Sequence, residues 1–155
     1  MADILDAARL ERQILEDMRV ELTDEFDKNF QRKAFFTDKW KARKDKNARG
    51  SLLVVSGAMR RSIRSDVKDH GVSFTSSLPY TTIHNEGGKG SKPVRQHYRT
   101  SKNGKRYEVK AHNRKFNMPK RQFIGDGKKT QAIIKDVIED NLQAFNLSLT
   151  KFLKQ

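Results

Sequence analysis

The sequence predicts an α+β domain with a long N-terminal helix, a small antiparallel β-sheet carrying an extended basic hairpin, and a C-terminal helix. Two observations support this class: apolar residues recur at helical spacing near both ends, and apolar and polar residues alternate in the middle. The dipeptide Asn103-Gly104 adds a strong hairpin-turn signal. Because a domain usually holds about 100–200 residues, the chain is expected to form one domain, residues 1–155.

The N-terminal helix is predicted from apolar residues at every fourth position. These residues are Leu10, Ile14, Met18, Leu22, Phe26 and Phe30. Each four-residue step exceeds one helical turn by about 40°, so the row drifts around the helix and one flat surface does not cover it all. The helix is therefore expected to wrap around its partner, to bend, or to pack its two ends on different neighbours, and the last option suggests a contact with another subunit. Phe35, Phe36 and Trp40 follow as apolar anchors, and a Lys/Arg-rich loop is predicted at residues 39–50.

The middle of the chain is predicted to be mostly extended. The stretch "SLLVVSGAMRRSI" indicates a short helix or extended piece with a turn at Ser56-Gly57, in which Ser56 caps a helix carrying Met59 and Ile63. "SIRSDV" and "GVSFTS" alternate apolar and polar residues around "DHG", which predicts a hairpin. The stretch "YTTIHNEGG", which begins at Tyr80, is predicted to form a third short strand.

A second, basic hairpin is predicted at residues 89–117, with Tyr98 and Tyr107 as cross-strand partners. The stretch "FNMPKRQFIGDG" is a non-helical link, and Asp126 is expected to cap the last helix, residues 128–152. The apolar stripe of that helix consists of Ile134, Val137, Ile138, Leu142, Phe145, Leu149 and Phe152.

Charge is concentrated in one block of the chain. The net charge is +14, and residues 89–122 hold twelve Lys/Arg against one acidic residue. Such a block is typical of a contact surface for an anionic partner, although a solvated loop kept soluble by its charge has the same composition. The candidate contacts to a partner or DNA are Arg95, Arg99, Lys102, Lys105, Arg106, Lys110, Arg114 and Lys115.

Composition excludes several classes of site. The chain has no cysteine, which excludes disulfides, thiolate zinc sites and iron–sulfur clusters. The longest apolar run is "LLVV", far short of the roughly 20 residues of a membrane span, and no signal peptide is expected at the N-terminus.

The sequence also lacks a pattern typical of an enzyme. His84-Asn85 and His112-Asn113 suggest a His-Asn-His nuclease, but no carboxylate or second histidine ligand lies at a tight spacing. The stretch "GGKGSK" lacks the spacing of a phosphate-binding loop. We therefore expect no catalytic residue, no metal site and no cofactor.

A series of short motifs resembles a known family. The matching residues are Trp40, Ser56, Gly57, Met59, Ser62, Ile63, Tyr80, His84, Gly87, Pro119, Arg121, Phe123, Ile124 and Gly125. In their order and spacing they resemble the phage virion morphogenesis family, the tail completion and head–tail joining proteins of Mu-like tailed phages. Met59 replaces the usual leucine, Thr81 stands where alanine is common, and Gln122 replaces a second proline.

The resemblance implies a structural virion protein that completes the tail or joins it to the head, in the neck of the particle after assembly in the host cytoplasm. It implies an oligomeric ring, expected to be a hexamer, that contacts a connector, tail terminator or tail tube. The basic hairpin, residues 92–112, is expected to reach either an acidic neighbouring ring or the viral DNA through nonspecific contacts, and no membrane partner is expected. A basic nucleic-acid-binding module with nonspecific phosphate contacts is the alternative function.

The resemblance also implies packing roles for the motif residues. Gly57 permits a turn that no residue with a Cβ fits. Tyr80, His84 and Gly87 fix the end of the third strand against the link, and Arg121 bonds to carbonyls or to Glu86 there.

Overall fold

The computed structural model describes residues 7–43, 45, 47 and 49–154. The ends of the predicted domain, and residues 44, 46 and 48 of the predicted basic loop, lie outside the described residues. The helices are α1 (Ala7–Arg32), α2 (Ala58–Ser62), α3 (Thr81–Glu86) and α4 (Lys128–Leu153). The strands are β1 (Ala34–Phe35), β2 (Asp38–Lys39), β3 (Ile63–Lys68), β4 (Gly71–Ser76), β5 (Gly88–Val94), β6 (His97–Thr100), β7 (Arg106–Val109) and β8 (His112–Met118). The α+β prediction is confirmed, with the described strands paired as separate antiparallel ladders, β1–β2, β3–β4, β5–β8 and β6–β7.

The two long helices, α1 and α4, pack against each other in antiparallel directions. Ile133 and Ile134, near the start of α4, lie against the cluster that contains Phe26, while further along α4 Asn141 donates to Asp17 of α1 at 3.0 Å. Phe35 follows the C-terminal end of α1, and an added Cβ at Gly127, just before α4, would lie 2.9 Å from the Phe35 ring. The start of α4 therefore faces the end of α1.

The predicted stripe of α1 is only partly buried. Leu22, Phe26 and Phe30 are buried, and Leu15 is buried where the four-residue spacing predicted Ile14. Leu10, Ile14 and Met18 are half-buried. The helix thus turns its second half into the core and leaves its first half partly open, as the drift of the row predicts.

Two clusters form the core. One contains Phe30, Trp40, Met59 and Phe123, and the other contains Leu22, Phe26 and Phe35. The β1–β2 hairpin reverses the chain after α1, with Phe36 at a φ of 53° in its turn, so that the flanking aromatic residues point inward. The predicted apolar anchors are therefore confirmed.

The predicted basic loop is shorter than expected. Lys39 belongs to β2 and Trp40 is buried in the core, so the loop begins only at residue 41. Arg43 closes its other end by donating to the carbonyls of Arg49 at 3.1 Å and Gly50 at 2.8 Å.

The predicted first hairpin is confirmed as β3–β4, with Ile63 opposite Ser76 and a two-residue turn at Asp69-His70. The prediction for the preceding helix was wrong in two respects. Gly57 holds the N-cap position, and the Ser56 hydroxyl instead accepts a bond from the Ala58 N–H at 3.3 Å. Helix α2 also ends before Ile63, because Ile63 has an extended backbone and begins β3.

The predicted third strand was wrong: residues 81–86 form helix α3. The β-branched run Thr81-Thr82-Ile83 favours a strand by propensity, but tertiary contacts override such preferences. The Thr81 N–H donates to the Leu78 carbonyl and the Thr81 hydroxyl bonds to Ser76, which starts the helical turn.

The C-terminal helix lies within one residue of its predicted bounds. Helix α4 spans Lys128–Leu153. The predicted cap was wrong, since Gly127 holds the N-cap position while Asp126 accepts from the Gly127 N–H at 2.7 Å and from Gln131 at 3.1 Å. In the predicted apolar stripe only Val137 is buried. No helix in the described ranges combines the length and the apolarity that crossing a membrane requires.

The second predicted hairpin is a long two-stranded arm, residues 88–118, built from the β5–β8 and β6–β7 ladders. Both ladders have the same register: Val94 faces His112 and, three residues on, His97 faces Val109. The predicted Tyr98–Tyr107 pair was wrong, because in this register Tyr98 faces Glu108 and Tyr107 faces Arg99. Partners share a face, so the two tyrosines lie on opposite faces of the ribbon.

Candidate functional site: the motif corner and the basic arm

The motif residues meet where the link, residues 119–127, crosses α1 and α3. We call this region the motif corner. Its centre is Phe123, which is 0% exposed and stacks obliquely on Phe30 with ring centroids 4.9 Å apart. A buried stretch without regular structure needs partners for its backbone groups, and side chains from both helices supply them.

Two asparagines bind the backbone of the link. Asn85 of α3 accepts from the N–H groups of Phe123 at 2.9 Å and Ile124 at 3.1 Å, and donates to the Ile124 carbonyl at 3.0 Å. Asn29 of α1 donates to the Phe123 carbonyl at 3.1 Å and accepts from the Phe36 N–H at 2.8 Å. The link is thus held from both sides by amide side chains.

Trp40 and Arg121 tie the link to the chain that follows β2. The Trp40 indole N–H donates to the Gln122 carbonyl at 2.6 Å. Arg121, only 6% exposed, donates to the Lys41 carbonyl at 2.9 Å and the Ala42 carbonyl at 3.4 Å. The predicted role of Arg121 as a donor to carbonyls is therefore confirmed.

Two motif glycines have a positive φ, and at Gly87 the neighbouring backbone also leaves no room for a Cβ. Gly87 has a φ of +76°, and a Cβ there would lie 2.7 Å from the backbone nitrogen of Lys120. Gly57 has a φ of +70°, and its Cβ would lie 2.7 Å from the Arg61 guanidinium. Both positions favour glycine, as the resemblance implied for Gly57.

His84 and Tyr80 complete the corner on one side of α3. The His84 carbonyl accepts from the Arg121 N–H at 3.0 Å, and the Tyr80 ring packs edge-on against the His84 ring at 6.2 Å. His84 and Gly87 thus contact the link as predicted, although they do so from a helix. Ile63 packs against the core cluster, and Pro119 leads from β8 into the link.

An open cavity of about 320 Å³ lies beside these residues. It is lined by Arg43, Leu52, Leu53, Val55, Ser56, Gly57, Ala58, Met59, Tyr80, His84 and Arg121. Burial, followed by the nearby Arg121 charge, lowers the pKa of His84 below its usual value. Burial and the charge of Arg43 likewise lower the pKa of Arg121. The cavity wall is therefore positive, and none of the described residues that line it is acidic.

The histidine pattern considered for a nuclease is used differently. Asn85 is occupied by the link, while the Nδ1 atom of His112 lies 2.8 Å from the carbonyl of Lys110 within the arm. The described part of the chain contains no group of three His, Asp or Glu side chains placed to bind a metal.

The arm presents its charges to solvent. Every predicted contact residue lies in it and is exposed: Arg95, Arg99, Lys102, Lys105, Arg106, Lys110, Arg114 and Lys115. At about 3.3 Å per residue the arm extends roughly 45–50 Å from Gly88 to its tip. The tip is a three-residue loop after Ser101 with Gly104 at a φ of +77°, consistent with the predicted Asn103-Gly104 turn. The contact role of these residues remains a prediction.

One pair in the arm is unfavourable for the isolated chain. Lys92 and Arg114 are directly opposite partners in the β5–β8 ladder, and like charges in that arrangement destabilise a ladder. Elsewhere in the protein the guanidinium of Arg60 forms a two-bond ion pair with Asp27. The arm thus keeps its positive charge at a cost to the stability of its own ladder.

The sequence interpretation missed Asn29 and Asn85. Asn29 gave a usable signal, because it lies on the same helical face as Phe26 and Phe30, where a polar residue needs a buried partner. Asn85 gave a weaker one, as a polar neighbour of His84 in a stretch taken for a strand. Both residues belong to the motif corner.

Comparison with known proteins agrees with this arrangement. The model of the phage virion morphogenesis family matches residues 2–143, which include the motif corner and the whole arm. No curated protein and no solved structure matches the chain. The chain therefore belongs to the phage virion morphogenesis family, which indicates a structural or assembly role in a bacteriophage particle.

Proposed function

We propose that the protein completes the tail or joins it to the head, as a non-enzymatic ring in the neck of the virion, assembled in the host cytoplasm. Family membership supports a role in virion assembly. The position in the neck, and a connector, tail terminator or tail tube as neighbour, are the finer part of the proposal.

The observation that carries the ring is the open end of the α1–α4 pair. The exposed apolar side chains there are Leu142, Leu147, Phe152 and Leu153, the last of them 74% exposed. Leu10 and Ile14 of α1 are half-buried at the same end. Exposed apolar side chains grouped at one end of a helix pair favour an interaction site, and in the proposed hexamer neighbouring subunits would cover them.

Light scattering tests the ring directly. We expect a discrete oligomer whose mass is the same at low and high salt, since apolar contacts are not screened. The double variant Leu142→Glu/Phe152→Glu should be monomeric, whereas Val55→Glu, at an exposed apolar residue outside α4, should keep the wild-type mass. A wild-type monomer at tens of micromolar would contradict self-assembly by this surface.

A phage lacking the protein tests the position in the virion. We expect separate filled heads and tails that fail to join, with joining restored by adding the wild-type protein to the extract. Normal particles in its absence would contradict the proposal.

A second candidate function is favoured by the arm: nucleic-acid binding through nonspecific phosphate contacts. Its ten Lys/Arg and one acidic residue, almost all exposed, are the supporting observation. Salt separates the two functions, because phosphate-driven binding weakens steeply as ionic strength rises.

A further inference from the structure

We propose that the arm binds duplex nucleic acid by lying along a groove, with phosphates contacting Lys and Arg side chains on both of its faces. This inference deepens the second candidate function and rests on it. It is independent of whether the protein forms a ring.

The first step concerns how the charges divide between the faces. Successive residues of a strand alternate faces and ladder partners share one. The ladder residues therefore place Lys92, Arg106 and Arg114 on one face and Lys89, Arg99 and Lys115 on the other. The remaining cations lie in the connections and the tip: Arg95, Lys102, Lys105 and Lys110. The two faces of the ribbon carry equal numbers of ladder cations. A partner with a flat acidic surface would contact only one of these faces.

The second step excludes another copy of this chain as the anionic partner. The chain has 33 Lys/Arg and 19 Asp/Glu, and outside the arm 23 and 18 remain, a net charge of +5. Several acidic residues of α1 also already have a cationic partner, among them Glu25 with Arg32 at 2.8 Å and Asp27 with Arg60. A second copy would repel the arm.

The third step favours a duplex over a single strand. Proteins that bind single strands offer aromatic rings on which bases stack. In the arm, the Tyr98 ring carries the Arg106 guanidinium 4.4 Å from its centroid. The Phe116 ring lies over Gly90, where a Cβ would be 2.6 Å from it. Two of the three aromatic rings thus already pack within the ribbon, which makes the phosphate backbone the main surface to contact.

Dimensions agree with a groove. The major groove admits a two-stranded ribbon, and an arm of roughly 45–50 Å is long enough to follow a little more than one turn of duplex, ~35 Å. Phosphates of the two strands border a groove on both sides, which matches charges on both faces. No side chain of the arm is assigned to a base edge, so binding is expected to be independent of sequence.

The experiment compares two face variants with a control of equal charge. One variant is Lys92→Gln/Arg106→Gln/Arg114→Gln and the other is Lys89→Gln/Arg99→Gln/Lys115→Gln. The control, Lys128→Gln/Lys129→Gln/Lys151→Gln, removes three exposed charges from α4. Affinity for a duplex of about two turns, ~20 bp, is measured across a salt series, with circular dichroism and light scattering to check fold and mass.

We expect each face variant to reduce the slope of log affinity against log salt by about 3, because each lost phosphate contact removes about 0.9. The control should keep the wild-type slope. A reduced slope in only one of the two face variants would contradict binding within a groove. It would indicate that a single face of the arm contacts the duplex. Tighter binding of the single strand than of the duplex would overturn the preference for a duplex.

Polyglutamate serves as the acidic-protein probe. Binding of polyglutamate without binding of duplex would overturn the inference in favour of an acidic protein surface. Binding of neither polymer would overturn the second candidate function as well. Both results would leave the ring proposal standing, since light scattering tests that separately.

A shortened arm gives an independent check. Because the register is constant, Val94 can be joined to His112 through Asn-Gly, which removes residues 95–111 and keeps the β5–β8 ladder. We expect duplex binding to be lost at salt concentrations where the wild type binds. Unchanged binding would overturn the assignment to the arm.

Discussion

The motif corner and the arm both contain many polar side chains, and they use them in opposite ways. In the motif corner, Asn29, Asn85 and Arg121 donate or accept within the molecule, mostly to backbone groups of an irregular segment. In the arm, the lysines and arginines extend into solvent. The difference shows that residue type alone does not distinguish a polar residue with a structural role from one that is available to bind another molecule. Burial and hydrogen-bond partners make that distinction.

The largest expected contrast is between two phenylalanines. Phe123→Ala should lower the free energy of unfolding by about 3–5 kcal/mol, because it empties a fully buried site between two aromatic rings. Phe116→Ala in the arm, where the ring is 40% exposed, should cost about 1 kcal/mol or less. Urea unfolding followed by circular dichroism measures both. Equal losses would mean that the arm unfolds with the core as one structural unit.

The next contrast is between two asparagines. Asn85→Ala should cost about 2–3 kcal/mol, since it leaves two partly buried N–H groups and one carbonyl of the link without partners. Asn117→Ala, at an exposed position of β8, should change stability by no more than about 0.5 kcal/mol. The same unfolding measurement applies. A small effect at Asn85 would show that water replaces its bonds and that the link is not held by this amide.

Two glycines with nearly equal φ angles sharpen the comparison. Gly87 has a φ of +76° and a ψ of −179°, a region almost restricted to glycine, and the backbone of Lys120 blocks an added Cβ. Gly104 has a φ of +77° but no atom within 4 Å of an added Cβ. Gly87→Ala should cost about 2 kcal/mol and Gly104→Ala about 1 kcal/mol, as measured by thermal unfolding. Equal costs would mean that Lys120 moves aside freely.

The smallest expected effect concerns pH. Burial lowers the pKa of His84 in the folded protein, so the unfolded chain takes up a proton first as pH falls. Stability should therefore be full above about pH 6.5 and decline as pH falls through the folded pKa. His84→Gln should flatten that decline in urea unfolding measured from neutral to mildly acidic pH, whereas His112→Gln in the arm should leave it unchanged. If the stability of His84→Gln declined with pH as much as that of the wild type, the decline would have to come from other titratable groups.

Local signals predicted the arm well, and long-range contacts explain what was missed. Asn103-Gly104 and the alternation around "DHG" predict both hairpins, because turn type and strand pairing there involve neighbours in sequence. Helix α3 was missed because its β-branched residues favour a strand, while its actual partners lie in the link and at Ser76. The tyrosine pairing was wrong because register depends on loop length, which changes every partner when it differs by one residue.

The motif corner shows the same limit on prediction. The motifs that matched the family meet in space, so the sequence located the corner correctly as a set of residues. It did not identify Asn29, whose partner at Phe123 is 94 residues away. A hydrogen bond across that separation follows from the packing of α1 on the link, and packing is a property of the whole chain.

Trp40 is the single tryptophan of the chain, and its indole lies within the motif corner, bonded to Gln122 and packed on Phe30. Its fluorescence is therefore an internal optical probe of that corner alone. Binding of nucleic acid to the arm should leave the emission wavelength of Trp40 unchanged. Loosening of the link should shift that wavelength to the red, because water then reaches the indole ring. Trp40 fluorescence therefore distinguishes nucleic-acid binding at the arm from loss of structure in the motif corner, without an added dye.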